Sequence, residues 1–249
     1  MSAGKTFDPY ELMPFQGYIE SATGQQIRYL SLAHFIHSER LRGVDEHYRA
    51  YILRLEDAEL FRLEVDGIGF VGSDNQEWSD KKLRLIYAGI FMQAIAHRER
   101  YSQMLSYGAS LSIASGSYSD DLAISMAEFI RDISSPQEKL KVAFAGNSSD
   151  QDYIHSCLKI IFAKRLPQCL FAIEDDRCSL AISEYARASS TAFTLLDSSL
   201  SDEALAENLK RRSTHIFKFL GGDGTSRPER VLTLAEQAGA TISPIQPKP

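Results

Sequence analysis

The chain has 249 residues, 44% of them hydrophobic and 24% charged, with a formal net charge of −6. That length accommodates one large domain or two small ones with a real buried core, and the acidic balance argues against a general nucleic-acid binder, which needs a basic face to neutralise phosphates, while leaving room for a local basic patch. No segment approaches the ~20 uninterrupted apolar residues of a membrane helix, and the opening stretch to Phe15 lacks the apolar centre of a secretory signal. Three cysteines, Cys157, Cys169 and Cys178, are odd in number and lack zinc-site spacing. The expectation is free thiols in a reducing, cytoplasmic compartment, with no metal and no cofactor.

In chain order, the first helix is expected over about Ser31–Leu41, with Leu32, Phe35 and Ile36 on its apolar side and His34, His37, Glu39 and Arg40 as its polar set. A second helix is expected around Glu46–Leu53, and residues 57–66 fit either helix or strand. The strongest element follows. Ser79 suits an N-cap, Asp80 the positive end of the dipole, and Trp78 a staple onto Leu83. Leu83, Ile86, Tyr87, Ile90, Phe91, Ala94 and Ile95 then recur at helical spacing, predicting one helix to about Tyr107, with Gly108 able to stop it. Within it, 97–100 (HRER) reads as a solvated face. Residues 111–121 are small, polar and Gly-containing, which reads as a loop.

The chain changes character near 133–138, which sets a boundary between a mainly helical N-terminal domain, 1–132, and a C-terminal domain, 138–249. In the second part apolar runs alternate with helical patterns. Strands are expected at 140–146, 168–173, 192–196, 215–220 and 240–245. Helices fall between them, one opening near Asp150, one over 178–188, one capped by Ser201 and one ended by Gly239. This alternation calls for a parallel sheet covered on both faces, a Rossmann-like α/β domain. The tail from Ser243 to Pro249 cannot continue a helix or an inner strand, because its prolines lack donors.

Two strand-to-helix turns carry the functional signal. Gly146, Asn147, Ser148 and Ser149 lie at one strand end, and Gly221, Gly222, Asp223, Gly224 and Thr225 at another. Ligands of open parallel sheets bind at the carboxyl ends of strands. Small residues let backbone approach a ligand, and free amides with a helix dipole favour an anion. Ser148 or Ser149 with His155 does not make a nucleophile–base pair, since no orienting carboxylate can be placed.

The pattern VAFAGNSS, the acidic turn Glu174-Asp175-Asp176-Arg177 and the run THIFKFLGGDGTSRPERVLTLAEQAGATISPI resemble the SLOG superfamily over about 139–245, its YspA-like branch most nearly. The resemblance implies a nucleotide or ADP-ribose-like ligand, held at both glycine turns and at Asp175 and Asp176, and in LOG-type branches cleavage of an N-glycosidic bond. Those enzymes place a glutamate three residues after the threonine. Here that position is Pro228 and the acid is Glu229, one residue later. An enzyme would draw its general acid or base from Glu229, Asp223 or the acidic turn. An ordinary first-turn carboxylate stabilising the helix dipole is the simpler role for Glu229.

Residues from about 15 to 110 resemble the NADAR or YbiA-like fold, through YLSLAHFIHSERLRG, EWSDKKLRLIYAGIFMQAI and YSQMLSYG. This implies N-glycosidic chemistry on ribosylated substrates. The family's EHY glutamate is replaced here by Ala33 and its lysine falls at Glu39 or Arg40, so the inherited chemistry is expected to be lost. Candidates in this part are His34, Glu39 and Trp78. The sequence thus supports three readings: a binder of ADP-ribose, a cyclic ADP-ribose isomer or a related nucleotide; an N-glycoside hydrolase; and an interaction protein with empty turns. The expected partner is a small molecule, not a membrane, and nothing stands against a homo-oligomer.

Overall fold

The structure, a computed structural model, describes residues 6–67, 76–107, 111–116, 118–134, 140–146, 148–174, 176–220 and 226–245. The chain divides into two compact units, one made of 1–17 and 27–136, the other of 18–26 and 137–249. Residues 18–26, assigned from sequence to the N-terminal domain, are therefore part of the second unit.

The N-terminal part of the chain carries short strands not expected from sequence: β1 (Thr6–Phe7), β2 (Phe15–Ile19) and β3 (Gln26–Tyr29). β2 and β3 form a two-stranded sheet. Helix α1 (Leu32–Leu41) is capped by the Ser31 hydroxyl, which accepts from His34 N, satisfying one of the orphan donors of a helix start. α2 (Glu46–Ile52), capped by Asp45, and α3 (Ala58–Gly67) follow. The segment that fitted either periodicity is thus a helix. Phe61 and Val65 turn inward from it against Ile52, Leu41, Ala33 and Tyr10.

The long helix expected from Ser79 to Tyr107 is instead two, α4 (Gln76–Ala96) and α5 (Arg98–Ser106). Its start lies a turn earlier than Ser79. The break is at His97, which leaves helical geometry (φ −125°, ψ 54°) while its Nε2 bonds the Pro14 carbonyl at 2.7 Å. No glycine or proline marks the spot, so the sequence carried no signal for it. Strand β4 (Ser112–Ile113) pairs in parallel with β1, and α6 (Ser119–Ser134) starts inside the segment expected to be a loop. Phe129 of α6 packs edge-on to Tyr87, Phe91 and Tyr101, with centroids 5.8–6.2 Å apart. Each such buried aromatic stabilises the unit by about 1.5–3 kcal/mol. α1 and α4 meet closely at Gly89, where a Cβ would sit 2.6 Å from Leu32 and Phe35 side-chain carbons.

The second unit is α/β, built on a five-stranded parallel sheet, as its alternating pattern requires. In chain order it runs β5 (Lys141–Gly146), α7 (Gln151–Ile161), β6 (Cys169–Ile173), α8 (Ser179–Ala188), β7 (Ala192–Leu196), α9 (Asp202–Arg212), β8 (His215–Phe219), α10 (Arg227–Gln237) and β9 (Ile242–Ile245). Strand order is β7-β6-β5-β8-β9. β5 and β6 read as unbroken apolar runs because both faces are buried. β9 holds Pro244 on the sheet edge, where a missing donor is tolerated. The 18–26 segment docks on α8: Tyr18 donates to the Thr191 carbonyl, Ile19 N to the Ser183 hydroxyl at 2.7 Å, and Arg187 to the Ile19 carbonyl. Among the described residues no helix is long and apolar enough to cross a membrane.

Candidate functional site

The strand order fixes where a ligand of this sheet would lie. From β5 the chain winds outward through β6 to β7, then returns to place β8 on the other side of β5 and β9 beyond it. The winding therefore reverses between β5 and β8. Parallel α/β sheets take their ligands at the carboxyl ends of the strands beside such a reversal. The register puts Gly146, the last residue of β5, opposite Phe219, the last of β8.

Gly146 is required there by contact as well as conformation. Its φ is +148°, and a Cβ would stand 2.3 Å from the Phe219 carbonyl oxygen. Any side chain would push the two strand ends apart. Below them Phe144 stacks on Phe217 and Phe219 at 5.4 and 5.5 Å, and Tyr153 of α7 meets Phe219 edge-on. Strand alternation turns Lys218 to the opposite face, that of α10. There its ammonium lies 3.3 Å from Glu229 Oε1.

The acidic turn after β6 reaches across to the end of β5. Asp176 is 4% exposed. Its Oδ2 accepts from Gly146 N at 2.9 Å and its Oδ1 from Cys178 N at 3.4 Å. Burial pushes this carboxyl up to about 6, against the opposing pull of the Gly146 and Cys178 amides. The Cys178 thiol beside it is pushed up by burial and then by the Asp176 charge. The carboxylate thus ties the end of β5 to the start of α8 and occupies the Gly146 amide itself. Asp150 occupies another donor: as N-cap of α7 it accepts from Tyr153 N at 3.0 Å. Ser148 is largely buried and Ser149 exposed.

The α10 start is less saturated. Ser226 is its N-cap but makes no side-chain cap bond, and its buried hydroxyl has no partner among the described residues. Glu229, three residues on, is 7% exposed, and its Oε2 is likewise buried without a partner. The two cations of this first turn are committed elsewhere. Arg227 bonds Asp202 and the carbonyls of Ser198 and Leu200, and Arg230 bonds Asp202 at 3.1 Å. Asn147, Asp175, Gly221, Gly222, Asp223, Gly224 and Thr225 lie outside the described residues.

The chain matches no protein-family model, no curated protein and no solved structure.

The structure accordingly brings Gly146 and Asp176 into direct contact at the end of β5 and sets Glu229 against Lys218 on the α10 face. The sequence reading missed Lys218 and Ser226. A lysine in the otherwise apolar run His215–Phe219, and the Ser-x-x-Glu spacing of 226 and 229, were the available signals.

In the first unit the three candidates are built into the packing. His34 bonds Ser31 Oγ through Nδ1 at 2.8 Å and the Leu55 carbonyl through Nε2 at 2.9 Å, and it stacks on Phe61 at 3.7 Å. The carbonyl requires a donor, so Nε2 carries the proton and Nδ1 accepts. Burial lowers its pKa, keeping the ring neutral. Glu39, with its side chain 3% exposed, accepts from the Tyr29 hydroxyl at 2.7 Å and from Arg42, with Arg49 at 3.9 Å. Trp78 lies edge-on to Tyr118, and the Arg40 guanidinium stands 5.5 Å over its ring while bonding the Tyr118 hydroxyl. A shallow niche in this unit, lined by Tyr10, Ala33, Ile36, Tyr118, Ser119 and Leu122 among others, contains none of the three.

Proposed function

We propose that the second unit binds a phosphate-bearing, nucleotide-derived ligand, such as ADP-ribose or a cyclic ADP-ribose isomer, in the crevice between the ends of β5 and β8. The observation that carries the reading is the pairing of Gly146 with Phe219 where the sheet reverses, with helices α7 and α10 both opening at that end. Asp176 and Asp150 already hold amides on the β5 side. The negative group therefore belongs on the α10 side, where the helix dipole is available and the N-cap hydroxyl is unspent. The uncharged parts of the ligand lie towards Gly146. The resemblance to SLOG proteins, through Gly221, Gly222, Gly224 and Thr225, supports the same ligand class.

The test is a calorimetric titration of the whole chain with ADP-ribose, NAD and adenosine monophosphate. Saturable binding of at least one, abolished by Gly222→Val, is expected; heats indistinguishable from dilution for all three contradict the reading. A second reading, hydrolysis of the N-glycosidic bond, is favoured by one observation: the buried, unpartnered Oε2 of Glu229 is an acceptor of the kind a general base supplies. Incubation with NAD and adenosine monophosphate separates the two, since a hydrolase releases free base and a binder releases none.

A further inference from the structure

The two edges of the five-stranded sheet are built differently, and from the difference we infer that two copies of this chain join through β7, pairing antiparallel about a twofold axis at Thr194. β7 and β9 are the edge strands. In a parallel ladder the N–H and C=O of one residue point to the same side, and that side alternates along the strand. On β9 the Ile245 carbonyl accepts from Leu220 N, so Ser243 and Ile245 face β8 while Ile242 and Pro244 face outward. A proline at an outward position removes the donor that a further strand would need. On β7 the Leu196 carbonyl accepts from Glu174 N, the residue after β6. Ala192, Thr194 and Leu196 therefore face β6, and Thr191, Phe193 and Leu195 face outward. The Thr191 carbonyl is taken by the Tyr18 hydroxyl at 3.0 Å. The outward amides and carbonyls of Phe193 and Leu195 bond nothing among the described residues.

Backbone groups are almost never buried without a partner, so these open onto water or onto another chain. Nothing on β7 defends its edge: the run AFTLL holds no proline, glycine or charge, and Thr194 and Leu195 are half-buried. The occupant that this edge fits is its own copy. About a twofold at Thr194, Phe193 of one chain stands opposite Leu195 of the other, and Leu195 opposite Phe193. Each pair exchanges both of its bonds, which satisfies every outward group of the strand on both chains. Thr194 meets its own counterpart at the closer, non-hydrogen-bonded spacing of about 4.5 Å, where threonines pair well. Asp197, the charge that follows the strand, falls opposite Thr191 and not opposite another acid. With β9 blocked by Pro244, the joined sheet has no open edge left, so assembly closes at two copies and does not grow into a fibre.

A five-residue edge is a small contact, of the kind that associates reversibly in the micromolar range. Sedimentation equilibrium of the whole chain from about 5 to about 500 μM is expected to show the mass rising from 27.9 kDa towards twice that value. Hydrogen exchange at the Phe193 and Leu195 amides is expected to slow over the same range. Thr194→Lys sets like charges opposite each other across the axis, and Thr194→Glu does the same with the other sign. Each alone is expected to weaken dimerisation by about tenfold, and an equimolar mixture to restore it as a heterodimer. Leu195→Pro, which removes an outward donor as Pro244 does on β9, is expected to be monomeric and serves if the Thr194 variants do not fold. A wild-type chain that stays monomeric at about 500 μM overturns the proposal, whether its Phe193 and Leu195 amides exchange freely or are covered in some other way. A dimer that the folded variants leave intact also overturns it, because that dimer forms elsewhere. Lysine and glutamate variants that dimerise no better mixed than apart refute the axis at Thr194.

Discussion

Replacing Asp176 with asparagine removes a buried charge at nearly constant shape, and its effect on stability has a sign set by the structure. In the unfolded chain the carboxyl titrates at its ordinary value of 3.8, and in the folded chain burial pushes it up to about 6. The folded state thus binds more protons between these values. The protonated group's contribution is fully present below about pH 3.8 and is lost as pH rises through about 6. The full span is about 3 kcal/mol, at about 1.4 kcal/mol per pH unit. Between pH 4.5 and 7.5 roughly 2 kcal/mol of it is sampled. Urea denaturation of both proteins at several pH values in this range measures it, because the difference between the two curves cancels every other titrating group. The wild type is expected to gain about 2 kcal/mol on the variant as pH falls from 7.5 to 4.5. Parallel curves would refute the burial argument, and a gap opening in the opposite direction would mean that the carboxylate is stabilised by its amide bonds more than burial penalises it.

Gly146→Ala is expected to cost roughly 2–4 kcal/mol, since its Cβ would lie 2.3 Å from the Phe219 carbonyl at a φ of +148°; thermal denaturation measures it. Glu39→Ala removes the buried carboxylate that accepts from the Tyr29 hydroxyl and pairs with Arg42 and is expected to destabilise by about 3 kcal/mol in urea. The His37 ring, whose pKa burial lowers to about 3, is expected to stay neutral down to pH 4 in a proton NMR titration. Its sign is opposite to that of Asp176: the unfolded chain takes up the proton first, so stability falls as pH drops below about 6.5.

The parallel sheet was legible because four of its strands, from Leu140–Gly146 onward, are short runs rich in apolar residues, each followed by a helical pattern. The β2–β3 hairpin was not. FQGYI and QIRY mix polar and apolar residues over only a few positions, too short a stretch for a period to stand out. The break at His97 arises from a bond to Pro14, 83 residues away in sequence, so no local pattern announces it. The site divides in the same way. Gly146 and the glycine-rich turn at 221–225 were visible as residue types. The inward turn of Asp176 and the pairing of Glu229 with Lys218 depend on which strands lie side by side. An acidic turn in a sequence looks solvated whichever way it points.

The most direct measurement of the ligand reading is a map of backbone amide shifts as ADP-ribose is added to the labelled protein. Saturable shifts concentrated at Gly146, Ser148, Ser149, Phe219, Leu220 and Ser226 are expected, since these residues end β5 and β8, follow them or open α10. Saturable shifts confined to other parts of the chain, or none at millimolar ADP-ribose, would contradict it.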